Sequence, residues 1–105
     1  MRPTRGSKYT RREVAALVEG YEELRNRRDT SRRGLHFLVC IADLDQAVRH
    51  LSRKRREAVL LHGQVGMTFA ESGRRLGVSG GAISARYAAA VDELTDILNG
   101  DADAD

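Results

Sequence analysis

Seven cationic side chains in this sequence could do chemistry on an anion: Arg53, Lys54, Arg55 and Arg56 in one run, then Arg74, Arg75 and Arg86. That chemistry is charge-assisted hydrogen bonding to phosphate, which makes and breaks no covalent bond. The Thr68 hydroxyl and the backbone N–H of Phe69, at the start of an expected helix, could hold a phosphate in the same way. Bond-making constellations are missing. His36 and Cys40 stand four apart on one helix, but the two further ligands that zinc needs have no counterpart at sensible spacing. Asp43 and Asp45 fall on different faces of a helix, so they form no acid–base pair. Gly80-Gly81 lacks the lysine of a phosphate-cradling loop. The expectation is a protein that is not an enzyme, takes no cofactor, holds no metal and has no small-molecule substrate.

The charge is uneven along the chain. Residues 1–56 carry 15 of the 18 basic side chains against seven acidic ones. Residues 67–98 carry three basic and four acidic, and the last five, DADAD, add three more negative charges. A basic first half attracts nucleic acid. A solvated, arginine-rich helical surface is the other reading, and charge alone does not separate the two. With 105 residues, 41% of them hydrophobic and 31% charged, the chain suits one domain of a soluble, mostly helical protein. No apolar run reaches the length of a bilayer crossing, and the N-terminus is basic and polar rather than signal-like. Cys40, alone in LHFLVCIADL, reads as a small buried apolar residue and fits a reducing cytosol.

The elements that must position these residues are all helical. Thr10 and Glu13 form a capping-box pattern, and Val14, Leu17, Val18, Tyr21 and Leu24 follow at helical spacing to about Arg28. Asp29, Thr30 and Ser31 punctuate. A second helix is expected to about Leu51, its broad apolar set being Leu35, Leu38, Val39, Ile41, Ala42, Leu44 and Val48. A third covers about Lys54 to Gln64, with Ala58, Leu60 and Leu61 supplying apolar surface. Thr68 and Glu71 then repeat the capping box and open a short helix ending near Leu76. Gly77 suits the left-handed backbone that stops a helix, and Ser79 suits the cap of the next. In that last helix Ile83, Tyr87, Val91, Leu94 and Leu98 share one face, and the pattern ends at Asn99-Gly100. The opposite face carries Gly81, Ala82, Ala85, Ala88, Ala89 and Asp92. The chain therefore reads as all-α, with about five helices.

The run LSRKRREAVLLHGQVGMTFAESGRRLGVSGGAISARYAAAVDEL, residues 51–94, resembles region four of bacterial sigma factors, the C-terminal promoter-recognition region. The likeness is carried by Leu51, Arg56-Glu57, Val59-Leu60-Leu61, Gly66, Thr68, the Leu76-Gly77-Val78-Ser79 turn, Ile83 and Arg86. It implies a helix-turn-helix whose second helix enters the major groove of double-stranded DNA. It also implies base contacts at Gly80, Gly81, Ser84 and Ala85, and backbone contact at Arg56. Nothing matches the sigma region that holds unwound bases on exposed aromatics, so the resemblance is to a part of a sigma factor. Small stand-alone proteins of this look occur among phage and prophage regulators of actinobacteria. The implied setting is the bacterial host cytosol.

Here the chain departs from the family. Guanine is read by Arg or Lys and adenine by Asn or Gln, and none of these projects from the centre of the last helix's outer face. Ser84 remains, with methyl contacts from Ala82 or Ala85 to thymine and close backbone approach at the glycines. Arg86, on the flank of that helix, could reach phosphate or a base edge. Arg74 and Arg75 read equally as DNA contacts or as a solvated face. The resulting division is a basic flexible arm over 1–9, two helices for packing or dimerisation over 10–50, the helix-turn-helix unit over 51–98, and an acidic disordered tail over 99–105. The expected function is transcriptional regulation through DNA. The rival is an interaction module in which the alanine and glycine face packs on a helix of a second copy or of RNA polymerase, whose β flap is docked by region four of sigma factors.

Overall fold

Four of the helices begin where a hydroxyl side chain, Thr10, Ser52, Thr68 or Ser79, accepts from one of the first amides. The computed structural model describes residues 9–21, 23 and 32–100. Helix α1 spans Arg11–Glu19 behind a complete capping box: the Thr10 hydroxyl accepts from the Glu13 N–H and Glu13 accepts from the Thr10 N–H. Its buried stripe is Val14, Leu17 and Val18. The helix stops at Gly20, though Tyr21 beyond it is still buried and donates its hydroxyl to Asp45. The expected continuation through Leu24 to Arg28, and the break at 29–31, lie outside the described residues.

Helix α2 spans Arg32–Val48. Cys40, Ile41, Leu44, Ala47 and Val48 face the core, while Val39 and Ala42 point outward. Two residues expected inside are therefore outside: the inner stripe runs through Cys40 and Leu44, and Val39 and Ala42 lie off it. Leu35 and Leu38 lie outside the described side chains. So does His36, and with it the pairing with Cys40. The helix ends at Val48 rather than Leu51, closing in turns from His50 and Leu51 back to Ala47 and Val48. Leu51 nevertheless reaches the core.

Helix α3, Arg53–Ala58, is capped by Ser52 and runs into a π-helical turn over Val59–Gln64, where Val65 donates to Leu60 five residues back. The sequence pattern suggests one regular helix here. The wider turn changes which residues face inward: Ala58, Val59 and Gly63 are buried, whereas Leu60 is 39% exposed. Gly63 is required by this packing, because a Cβ there would lie 2.2 Å from Val18 Cγ1 of α1.

Helices α4 (Phe69–Leu76) and α5 (Gly80–Leu98) complete the unit. Helix α5 is the spine of the fold, burying Ile83, Tyr87, Ala90, Val91, Leu94, Thr95 and Leu98. Each large aliphatic among these contributes about 1.5–3 kcal/mol on burial. The Thr95 hydroxyl is satisfied by the Val91 carbonyl at 2.7 Å. Five α-helices are present among the described residues, with no strand. None of them is long and apolar enough to cross a membrane.

Candidate nucleic-acid interface

The interface is built on the turn between α4 and α5. Gly77 takes the left-handed conformation (φ 75, ψ 30) that L side chains resist, and both Gly77 and Val78 donate to the Gly73 carbonyl. Ser79 then caps α5 by accepting from the Ala82 N–H at 3.0 Å. The two helices meet almost backbone to backbone. A Cβ on Gly73 would lie 2.5 Å from the Val78 carbonyl oxygen, and one on Gly80 would lie 3.2 Å from the Ala70 nitrogen. Gly80 therefore faces α4, whereas Gly81 is exposed. Gly73, which the sequence pattern does not single out, is what lets the turn close.

Gly81, Ser84, Ala85 and Ala88 form the exposed stripe of α5, with Ala82 and Arg86 half-buried beside it. Arg74 and Arg75 are exposed in the last turn of α4, where cations also complement the negative helix end. These residues do lie around one turn. The basic run of α3 behaves differently. Four consecutive helical residues are spread around the axis at 100° steps, so they cannot share a face. Arg55 turns to α5 and pairs with Glu93 at 2.7 Å, Arg53 reaches Glu57 at 3.4 Å, and Arg56 donates to the Leu51 carbonyl at 3.0 Å. Lys54 is exposed. The patch expected from sequence is thus divided between intramolecular duties and solvent.

The start of α4 carries its own anion. Thr68 and Glu71 form a complete capping box, with the Thr68 N–H donating to Glu71 at 2.9 Å and the Glu71 N–H donating to the Thr68 hydroxyl at 3.0 Å. The bond from the Thr68 backbone, then its side chain, and then Arg74 hold the Glu71 carboxyl below the usual carboxylate range. A phosphate approaching Thr68 and the Phe69 amide meets that carboxylate.

Behind the turn three rings lock together. His62, on the π turn, stacks on Phe69 with centroids 3.9 Å apart and meets Tyr87 edge-on at 4.7 Å. His62 Nδ1 lies 2.8 Å from the Met67 carbonyl, which can only accept, so Nδ1 carries the proton. The Tyr87 hydroxyl donates to Glu19 of α1 at 2.9 Å, and burial followed by that carboxylate pushes the phenol pKa upward. No local sequence signal marks Glu19, His62 or the Tyr87 hydroxyl, because their partners are set by the fold.

Residues 41–94, just over half of the chain, match the family model described as Sigma-70, region 4. The matched segment starts within α2, ten residues before the run in which the likeness is visible by eye, and ends at Leu94. No curated protein and no solved structure matches the chain.

Proposed function

We propose, from the premise that this chain belongs to the Sigma-70 region 4 family, that it is a non-enzymatic transcriptional regulator acting through double-stranded DNA. The observation that carries the reading is the turn itself: Gly77 left-handed, Ser79 capping, and α5 exposing Gly81, Ser84, Ala85 and Ala88 along one stripe. In this arrangement α5 enters the major groove while α4 crosses the backbone. Arg74, Arg75 and Arg86 contact phosphates around it, with the exposed Lys54 contributing from α3. The exposed stripe offers one hydroxyl and several methyl groups, so sequence discrimination is weak and affinity rests on phosphates. The phage or prophage setting rests on the resemblance alone, and genomic neighbours would test it.

A second reading is favoured by the same stripe, whose small side chains suit close packing against a helix of RNA polymerase or of a second copy. Retention of a mixed-sequence duplex at low salt separates the two. DNA binding predicts retention that Arg86→Ala weakens. A wild-type protein that retains no duplex, yet associates with itself or with polymerase, would favour the interaction module.

A further inference from the structure

The segment of Tyr9 and helix α1 lies outside the matched residues, yet one polar tie just before α1 and two on it reach α5 and its C-cap in antiparallel order. Tyr9 donates its N–H to the Asn99 side chain at 2.8 Å and accepts from it at 3.0 Å. Arg11 pairs with Asp92. Glu19 accepts the Tyr87 hydroxyl. As the chain moves through 9, 11 and 19, its partners step back through 99, 92 and 87. The last tie sits on the buried face of α5, beside the exposed stripe. Tyr87 contacts His62, and His62 stacks on Phe69, the first residue of α4. Glu19 is thereby connected to α5 through Tyr87, and to α4 through Tyr87 and His62 in turn.

Resting on the DNA-binding reading above, we propose that α1 is a brace that sets how α5 is presented to DNA, with Glu19 as a positioning residue acting through Tyr87. Burial of Val14, Leu17 and Val18 already holds α1 in place, but apolar contact is non-directional. A hydroxyl–carboxylate hydrogen bond is directional, and it opposes rotation of α5 about its own axis. Such a rotation would carry Arg86 and the Gly81–Ala88 stripe out of register with Arg74 and Arg75.

The test uses Glu19→Ala, Glu19→Gln and Tyr87→Phe in the full chain. Two quantities are read well below the melting temperature: retention of a mixed-sequence duplex at two salt concentrations, and backbone amide chemical shifts of the free protein. Glu19→Ala and Tyr87→Phe should weaken retention about fivefold and lower the logarithmic salt slope by about one, as one simultaneous phosphate contact is lost. Glu19→Gln keeps an acceptor oxygen and should stay close to wild type. In Glu19→Ala the amides of residues 69–71 and 80–88 should shift together. An unchanged salt slope with unmoved amides at 80–88, alongside a lowered melting temperature, would show a merely structural bond and overturn the proposal. Should the wild type retain no duplex, the DNA-binding reading fails and the brace stands or falls on the amide shifts.

Discussion

Gly73 and Gly77 stand four residues apart and are glycine for different reasons. Gly77 has open space around its Cα and a positive φ, so Gly77→Ala should cost about 1 kcal/mol of backbone strain. Gly73 faces backbone atoms that cannot yield, so Gly73→Ala should cost more, about 1–3 kcal/mol, and lower the melting temperature by roughly 4–8 °C for each kcal/mol. Thermal denaturation of the two variants ranks them, and equal losses would contradict this account. Glu71 gives a pH prediction. Its carboxyl pKa is lowered in the folded state, so its contribution is full above the unfolded value and disappears as pH falls through the folded one. Stability on the acid side should therefore decline less steeply in Glu71→Gln, as melting curves across that range would show. The caps at Thr10, Thr68 and Ser79 are legible in the sequence because donor and acceptor stand three residues apart. Gly73 is not, because its constraint comes from a turn that exists only after folding.

At the level of elements, helical periodicity locates every described helix but misses the π turn. One widened turn leaves apolar spacing nearly intact, so VLLHGQ reads as ordinary helix, and Leu60 is expected inside where Val59 is found. The turn exists in a context that only tertiary structure supplies: Gly63 against Val18, and His62 against Phe69 and Tyr87. Gly63→Ala should consequently destabilise the protein by about 1–3 kcal/mol, since the colliding atom is a branched methyl in a filled core. Val18→Ala removes that methyl. In chemical denaturation it should cost less in the Gly63→Ala background than alone, and strict additivity would argue against the contact. The candidate site divides in the same way. Ser84 enters through the resemblance and Ala82 and Ala89 prove half-buried, whereas Gly81, Ala85 and Ala88 on the outer face of α5 are legible from spacing. The engagement of Arg55 by Glu93, 38 residues away, is not.

Across the whole molecule, a formal net charge of +3 understates how few cations are uncommitted near the turn. Arg53 and Arg55 face carboxylates of their own chain, and Asp92, Glu93 and Asp96 make the far half of α5 acidic. What distinguishes a DNA reader from a packing module is the fate of a cation placed on the exposed stripe. Ala85→Arg, measured for duplex affinity at two salt concentrations, tests this most directly. Binding should tighten on nearly any sequence and the salt slope should steepen by about one, because the new guanidinium adds one phosphate contact and its released counterion. Loss of self-association on this substitution, with duplex retention unchanged, would contradict the DNA-binding reading, because the stripe would then be a buried protein contact intolerant of an unpaired charge.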